Sequence, residues 1–493
     1  MAHRNHAARR CRTARRARPS RRHRAIRHPR TTRRRAAVRR RAVGPPNQDT
    51  TPTAGEHGHD QAPHPDARAP APLRSLARSP VPAKGDPMTD APTSPTSTGR
   101  IVLLGATGYT GTLVAHELVA RGARPVLAGR SQDRLDALAA DLAASALSVA
   151  PRHRAEPTGT PGAGRPTLDS PARPPLETAV ADVDDPRTVR ALLEPGDVLV
   201  STVGPFVRHG GPAVEAAIDA RAVYLDSTGE PAFIRRVFDE LGPRAVRTGT
   251  ALLTAFGHDW VPGNLAGALA LQDEGADAAR LEIGYFPTGG GVSGGTRASA
   301  LETVLEPSYA WRGGRLRAER VAARVVAIDL GAGRRVRGIT AGGTEPFTLP
   351  PLAPGLRDVE VALGVTSPAV RFAPVATAVA TGALRVPGLG GALRRLARSR
   401  GGSSGGPDAA ARATSRTHVL AVARDASGKV LRRVRLDGPD AYDLTAHFLA
   451  WGAARAAAGE TRATGALGPV QAFGVDALLA TAREAGITVT IGH

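Results

Sequence analysis

The chain has 493 residues and a single cysteine, Cys11, so disulfide bridges, thiolate zinc sites and a cysteine nucleophile are excluded from everything that follows this residue. The formal net charge is +22, but residues 1–87 alone carry 22 Lys and Arg against 5 Asp and Glu. The rest of the chain is close to balanced, and it contains no uncharged run as long as the ~18 residues of a membrane-spanning helix.

Residues 1–98 are predicted to be a disordered arm. The first 41 residues contain 18 arginines and no aromatic residue, so they cannot bury enough apolar surface to offset the entropy of ordering. Such an arm could bind the phosphates of a nucleic acid or an anionic membrane. Met88 is the only methionine besides Met1, and the alternative is that translation starts there and residues 1–87 are an over-extended reading frame.

The first predicted strand, 101–104, consists of four apolar residues and is followed at once by Gly105, Gly108 and Gly111. A helix-compatible run, 113–121, comes next. Strand, glycine turn and helix in this order predict a dinucleotide-binding turn. The first glycine would allow the tight turn, the second would let the backbone approach a pyrophosphate, and the third would let the helix pack closely on the strand.

Strands and helices then alternate up to residue 255. The predicted strands are 125–128, 178–183, 197–202, 222–225 and 250–255, and the predicted helices are 132–146, 186–193, 211–220 and 231–241. This alternation predicts an α/β fold, with a Rossmann-type doubly wound parallel sheet over residues 99–275.

From residue 276 to residue 493 the pattern is mixed and predicts a second, α+β domain that binds the substrate. The predicted strands are 280–286, 320–328, 418–423 and 430–436, and the predicted helices are 297–305, 442–457 and 475–485. In chains of this type a final helix often returns to the nucleotide domain, so the boundary need not be a single cut.

The end of the second strand indicates which nucleotide is bound. An NAD site usually places an Asp or Glu about 20 residues after the glycines, where it binds the ribose 2′-hydroxyl. Here Arg130 stands at that point, with Arg134 one helical turn on, and the first acid is Asp133. A guanidinium pairs with a 2′-phosphate, so NADP(H) is favoured over NAD(H). The alternative is that Arg130 is a solvated residue at the start of a helix.

Residues at the carboxyl ends of the strands complete the predicted cofactor site, because a doubly wound sheet binds its ligands there. Gly204 would let the backbone run close to the nicotinamide ribose, Phe206 would pack against the nicotinamide ring, and Asp182 would contact adenine. The alternative for Gly204 and Phe206 is a plain strand-ending turn, and the alternative for Asp182 is a helix cap. The predicted cofactor-binding residues are Gly105, Thr107, Gly108, Tyr109, Thr110, Gly111, Arg130, Asp182, Thr202, Gly204 and Phe206.

Lys84 and Lys429 are the only lysines in the chain. Their positions exclude a Tyr-x-x-x-Lys dyad of the short-chain dehydrogenase type, a phosphate-loop lysine and a Schiff-base lysine. Histidines and cysteines form no cluster with ligand spacing, so no metal site is predicted.

Several short segments, taken in order, resemble the saccharopine dehydrogenase-like oxidoreductases, which include the trans-acting enoyl reductases of lipid biosynthesis. The segments are Gly105-Ala-Thr-Gly-Tyr-Thr-Gly111, Leu127-Ala-Gly-Arg130, Ser201-Thr-Val-Gly-Pro-Phe206, Tyr224-Leu-Asp-Ser-Thr-Gly-Glu230, Gly257-His-Asp-Trp-Val-Pro262, Gly438-Pro-Asp-Ala-Tyr-Asp-Leu-Thr445 and Gly465-Ala-Leu-Gly-Pro-Val-Gln-Ala-Phe-Gly474. The resemblance covers most of residues 100–493 and none of the arm. Two departures occur: Ala216-Ala217 replaces the usual Ala-Cys, and His258 and Trp260 replace the usual Phe and Ser.

The resemblance implies an NADP(H)-dependent oxidoreductase that transfers hydride to an enoyl or other lipid-like substrate. The alternatives are a saccharopine-type imine reductase or dehydrogenase, and an NADPH-binding sensor or scaffold without turnover. The small number of aromatic residues and the apolar stretch 361–384 are compatible with an aliphatic substrate.

Three polar residues after strand ends are the catalytic candidates: Asp226, Glu230 and His258, with His209 behind them. Hydride delivery needs a proton donor or an electrostatic partner for the developing charge. Each candidate has a structural alternative, since Asp226 could cap a turn, Glu230 could begin a helix and His258 could be a satisfied loop histidine.

The expected partner is a small-molecule or lipid-like substrate, with no nucleic acid bound by the folded part, and the expected location is cytoplasmic. The apolar run 372–384 precedes the basic stretch 385–400, so peripheral contact with a membrane is one interpretation. A core segment followed by a solvated loop is the other. The sequence does not specify the oligomeric state.

Overall fold

The computed structural model describes residues 98–148, 175–289, 291–304, 306–329, 335–364, 368–384, 391 and 405–492. Apart from its last residue, the predicted arm lies outside these ranges. Except for residue 391, so does the basic stretch 385–400.

Within the described residues, seven parallel strands form the first sheet, in the order β15-β6-β5-β4-β1-β2-β3. These strands are β1 Ile101–Leu104, β2 Val126–Gly129, β3 Thr178–Val180, β4 Val198–Ser201, β5 Val223–Asp226, β6 Ala251–Leu253 and β15 Gly465–Ala466. Strands β1, β2 and β4 are buried at every residue, as expected for a sheet that helices cover on both faces. The predicted Rossmann-type sheet is confirmed.

Helices follow these strands as the alternation predicts. They are α1 Tyr109–Ala120, α2 Gln132–Ser148, α3 Pro186–Arg190, α4 Phe206–Ala220, α5 Pro231–Arg236, a π-helical turn Val237–Leu241, α6 Gly242–Thr248 and α7 Val261–Ala270. The wholly buried α7 packs on strands of the second sheet and joins the two halves of the core.

Helix α4 begins five residues earlier than the sequence pattern predicts. The carboxylate of Glu230 accepts hydrogen bonds from the backbone amides of Phe206 and Val207, at 2.8 Å each. These two amides have no partner within the helix, so a distant carboxylate stabilises the first turn. The sequence near residue 206 contains no sign of this cap.

The second sheet contains nine strands in the described residues, and its main path runs β10-β11-β12-β7-β13-β14-β16. The strands are β7 Arg280–Tyr285, β8 Pro307–Arg312, β9 Arg315–Arg320, β10 Val325–Asp329, β11 Arg335–Thr340, β12 Asp358–Gly364, β13 Thr417–Arg424, β14 Val430–Gly438 and β16 Thr488–Gly492. Pairing between β7 and β12 is parallel and the other ladders are antiparallel.

One strand prediction in this half is wrong. The segment predicted as a single strand over residues 320–328 contains the end of β9, a turn and the start of β10. Ala322, with a φ of 53°, lies in the left-handed region and breaks the extended backbone there. An alternating pattern alone does not reveal such a turn.

The remaining helices are α8 Gly294–Thr303, α9 Glu345–Thr348, α10 Ala373–Ala383, α11 Ala409–Thr414, α12 Ala441–Ala457, α13 Pro469–Phe473 and α14 Val475–Glu484. Helix α12 packs against α1 and against strands β4 and β5, and β15 extends the first sheet beside β6. Late segments of the chain therefore contribute to the nucleotide half, while a boundary after residue 275 stays a prediction. Among the helices described, none is both long enough and apolar enough to cross a membrane.

The contact between α1 and the first sheet permits only glycine at residue 111. A Cβ placed there would lie 2.1 Å from the carbonyl oxygen of Gly105 and 2.9 Å from Oγ1 of Thr202. The neighbour on one side is backbone, so no side chain can move aside to make room.

We predict that Gly111→Ala lowers the free energy of unfolding by about 1–3 kcal/mol, because the added methyl group overpacks the junction of α1 and β1. Gly382→Ala is the matched control, since a Cβ at residue 382 meets nothing within 4 Å. That control should be neutral or stabilising by up to about 1 kcal/mol. Urea unfolding of both variants measures the difference, and equal stabilities would contradict the packing described here.

Candidate active site

The turn between β1 and α1 has the conformation that its glycines predict. Gly105 has a φ of +83°, and its amide and that of Ala106 both donate to the carbonyl of Ala128 on the neighbouring strand. A Cβ at residue 105 would lie 2.8 Å from both Thr202 and Val203. The turn therefore needs glycine for both its backbone angle and its close packing.

Helix α1 begins at Tyr109 with no side-chain cap and no acidic residue in its first turn. The first amides of a helix have no partner within it, and together with the helix dipole they attract an anion. A cavity of about 280 Å³ opens beside this terminus and includes Gly105, Thr107 and Gly108 in its wall. The geometry suits a pyrophosphate on these amides.

Arg130 and Arg134 also line this cavity. Both are exposed, and within the described part of the chain neither forms an ion pair. Asp182 also lines the cavity, but its carboxylate accepts a hydrogen bond from the amide of Asp184 and shapes the turn after β3. Asp184 and His209 line the same cavity, and Nδ1 of His209 lies 3.2 Å from Oδ1 of Asp184.

A second cavity, of about 370 Å³, adjoins the first, and the two share Thr202 and Gly204 in their walls. Phe206 and Thr110 line it from the nucleotide half, and α8 forms the opposite side. Its apolar wall consists of Phe206, Pro231, Trp260, Ala300, Val304, Val321, Ile339, Ala341 and Leu363. A nicotinamide at the shared edge would face this cavity.

The charge of the second cavity is unusually low for a protein so rich in arginine. Asp259, with its side chain 57% exposed, is the one acidic residue among its described lining residues, and none of those residues is Arg, Lys or His. The other polar side-chain groups of these lining residues are the indole N–H of Trp260 and the hydroxyls of Thr110, Thr202, Ser227, Ser293, Thr296, Ser299 and Thr303. The cavity suits an uncharged, largely apolar substrate.

Glu230 is buried between the two halves rather than exposed in either cavity. Besides the two amides of α4, its carboxylate accepts a hydrogen bond from Oγ of Ser299 on α8, at 2.7 Å. Ser299 lines the second cavity, so Glu230 acts on the site through the position of this wall. A direct catalytic role for Glu230 stays a prediction.

Asp226 and His258 also lie outside the walls of both cavities. Asp226 accepts hydrogen bonds from the amides of Thr228 and Ala255 and from the hydroxyl of Thr254, at 2.8–2.9 Å. Burial raises the pKa of Asp226 to about 6 in spite of these bonds. His258 is hydrogen bonded through Nε2 to Thr417, and its Nδ1 lies 3.6 Å from Asp259. Their catalytic roles stay predictions.

Two members of the predicted cofactor set line neither cavity. Gly111 is the packing glycine described above. Tyr109 points toward the second half of the chain, where its hydroxyl donates to the carbonyl of Pro407 at 2.6 Å and accepts from Arg412 at 3.3 Å. The other nine predicted cofactor residues line one or both cavities.

The sequence interpretation missed a buried acid behind the second cavity. Glu345 accepts a hydrogen bond from the hydroxyl of Tyr285 at 2.6 Å, and its Oε2 has no partner among the described residues. Burial raises the pKa of Glu345 to about 8, so the carboxyl is protonated at neutral pH. Glu345 lies in a short helix without a recognisable motif, and no sequence signal marks it.

Residues 101–253 match the saccharopine dehydrogenase NADP binding domain family. The matched range contains β1 to β6, the glycine turn and Arg130. Over these residues the chain is similar to the saccharopine dehydrogenase-like proteins, and this part of it is an NADP-binding domain. The resemblance, the fold class and the NADP(H) cofactor predicted from the sequence are confirmed.

Relatives with this saccharopine dehydrogenase-like region include two mycobacterial proteins. One of them, from Mycobacterium tuberculosis, is named as a trans-acting enoyl reductase. It is 36% identical to this chain over 214 residues, which are 42% of this chain and 45% of that protein. Another of the same name, from Mycobacterium bovis, is 34% identical over 167 residues, or 34% of each chain. The chain thus spans less than half the length of the curated relatives it matches.

Among solved structures, apo saccharopine dehydrogenase (L-Glu forming) of Saccharomyces cerevisiae aligns with 80% of this chain and 99% of its own. The sequences are 13% identical and the TM-score is 0.49.

The site of this saccharopine dehydrogenase-like chain fits NADP(H) on its own geometry. The Gly105 turn brings backbone close to the cavity, the uncapped start of α1 supplies amides, and Arg130 and Arg134 line the same cavity with no ion pair among the described residues. Gly204 belongs to the wall of this cavity and to the wall of the second cavity.

We predict that Glu345 makes stability fall as pH rises toward 8. Its pKa of about 8 in the folded chain lies above its ordinary value of 4.5, so the folded state holds a proton that the unfolded state releases. The stability that this proton contributes is fully present below about pH 4.5 and is lost by about pH 8. Between these values the free energy of unfolding falls by close to 1.4 kcal/mol per pH unit. Between pH 6 and 8, above the pKa of Asp226, Glu345→Gln should remove this slope.

Urea unfolding at several pH values measures the effect. Glu240→Gln is the matched control, because the side chain of Glu240 is 70% exposed and the substitution should leave the slope as in the wild type. A Glu345→Gln slope equal to that of the wild type would contradict the burial argument.

Proposed function

We propose that the protein is an NADPH-dependent oxidoreductase that reduces an uncharged, apolar enoyl substrate. The observation that carries the proposal is the second cavity, which adjoins the nucleotide cavity at Thr202 and Gly204 and has apolar residues and hydroxyls as its lining. Apolar walls with a few oriented polar groups suit a lipid-like chain that ends in a polar reactive group.

The same cavity argues against the saccharopine-type alternative. A saccharopine-type imine carries several carboxylates, and buried carboxylates need cations or hydrogen-bond donors nearby. Among the described residues that line this cavity the one ionisable group is Asp259, which is itself an acid. The names of the mycobacterial relatives support an enoyl substrate.

The chain's own residues hold and orient the reactants. The α1 terminus and Gly108 would bind the pyrophosphate, and Arg130 and Arg134 would bind the 2′-phosphate. NADPH supplies the hydride when it is bound. Gly204 gives the nicotinamide access to the second cavity. Phe206 closes one side of that cavity, and its backbone amide donates a hydrogen bond to the carboxylate of Glu230. The apolar wall would hold the hydrocarbon part of the substrate.

We predict that Arg130→Ala and Arg134→Ala each raise the Kd for NADPH about 10- to 100-fold, because a charge-assisted bond to the 2′-phosphate contributes about 1.5–3 kcal/mol. NADH affinity should hardly change, since NADH has no 2′-phosphate. Arg187→Ala is the control, because that side chain is 91% exposed and lies outside the cavity wall. Fluorescence titration measures both constants, and a parallel loss of NADH affinity would contradict this assignment.

We also predict that stopped-flow mixing shows oxidation of bound NADPH by a medium-chain trans-2-enoyl thioester and none by an imine of an amino acid with a 2-oxo acid. The apolar wall accepts the first and leaves the carboxylates of the second without partners. Oxidation by the imine alone would reverse the substrate assignment. Tight NADPH binding without oxidation by either would favour a sensor or scaffold.

A further inference from the structure

Three hydroxyl groups form a connected cluster at the start of α8, on the side of the second cavity that faces Thr110. The hydroxyl of Tyr442 lies 2.8 Å from Oγ1 of Thr296 and accepts a hydrogen bond from the amide of Ser293 at 2.7 Å. Oγ of Ser293 lies 3.0 Å from Oγ1 of Thr296 and accepts from the amide of Thr296 at 3.1 Å. Ser293 and Thr296 both line the cavity.

Counting the protons of this cluster shows that it can donate outward. Three hydroxyl groups carry three protons, and two hydroxyl–hydroxyl contacts use two of them. Because Tyr442 already accepts from the amide of Ser293, its own proton can be donated to Thr296. The third proton is then on Ser293 or Thr296, and both of these side chains face the cavity.

The position of Tyr442 is fixed from several sides. Its ring packs edge-on against Tyr109, with 5.0 Å between ring centroids, and Tyr109 is the first residue of α1 in the nucleotide turn. Its amide donates to Oδ1 of Asp440, which caps α12, at 2.8 Å. A donor that is held in place before the substrate arrives needs little reorganisation during the reaction.

We infer that Ser293 and Thr296 donate a hydrogen bond to the carbonyl oxygen of the substrate, and that Tyr442 is the positioning residue that polarises and orients this pair. The inference rests on the proposed function and deepens it, because it assigns the group that binds the reacting end of the substrate. The ligand class is an α,β-unsaturated carbonyl compound. The match to the saccharopine dehydrogenase NADP binding domain ends at residue 253 and does not include Ser293, Thr296 or Tyr442.

The chemistry balances with the groups available. Hydride adds to the β-carbon, the π electrons of the carbon–carbon double bond move to form an enolate, and the negative charge develops on the carbonyl oxygen. A hydrogen bond to that oxygen is stronger in the enolate than in the ground state, so it lowers the barrier. Water supplies the proton that the α-carbon takes up, and the products are the saturated carbonyl compound and NADP⁺.

The test compares kcat, KM and the primary isotope effect of 4-deuterated NADPH for trans-2-enoyl thioester reduction. Loss of one donor to a developing oxyanion lowers kcat by about 100-fold, which is the expectation for the double variant with Ser293→Ala and Thr296→Val. Tyr442→Phe keeps the ring against Tyr109 and should lower kcat about tenfold with little change in KM, since it weakens the donor indirectly. The isotope effect should rise in both, because hydride transfer becomes more rate-limiting.

Controls separate a chemical role from a structural one. Thr296→Ser keeps the hydroxyl and should restore most of the kcat that Thr296→Val loses. Tyr309→Phe removes a tyrosine hydroxyl that lines neither cavity, so its kinetics should equal those of the wild type. The Kd for NADPH should stay constant throughout, which shows that each variant is folded.

Two results would overturn the inference while leaving the proposed function intact. One is a wild-type kcat and isotope effect in both Tyr442→Phe and the double variant, and the other is an equal loss in Thr296→Ser and Thr296→Val. A wild-type protein that oxidises no NADPH with any enoyl thioester would instead reject the proposed function, and this inference with it.

Discussion

The carboxylate of Glu230 is the contact on which the geometry of the site depends. It accepts hydrogen bonds from the first amides of α4 on one side and from Ser299 of α8 on the other, and it is 1% exposed. The two amides and the helix dipole favour a carboxylate at this position. The same side chain thereby connects the first turn of α4 in the nucleotide half to α8 in the wall of the second cavity.

The contact of Glu230 joins two parts of the site whose linings differ in chemistry. The nucleotide cavity carries exposed arginines and helix amides, which suit phosphates, while the described lining of the second cavity is largely apolar with several hydroxyls, and Asp259 is its one ionisable group. The two cavities share Thr202 and Gly204, and in the proposed function a charged cofactor and an uncharged substrate would meet at this edge. Such a separation of charges would keep phosphate-binding groups away from the reacting carbon atoms.

Much of the nucleotide half could be predicted from the sequence, because strand, glycine turn and helix are local patterns. Arg130 and Gly105, which the sequence predicts to bind the cofactor, line the cavity beside α1, and their contact with a cofactor stays a prediction. Other features of both halves were harder to predict. The left-handed Ala322 splits an apparent strand, a distant carboxylate starts α4 early, and the hydroxyl cluster joins residues 149 positions apart in the chain. Each of these features is a long-range contact or a backbone angle that no local pattern encodes.

A crystal structure with NADP⁺ bound tests the central claim most directly, which is that cofactor and substrate meet at the Thr202–Gly204 edge. The account predicts that the 2′-phosphate lies within about 3 Å of the guanidinium of Arg130 and that nicotinamide C4 faces the second cavity, toward the α8 wall. A nicotinamide that points away from that cavity, or one whose C4 is covered by protein, would contradict it.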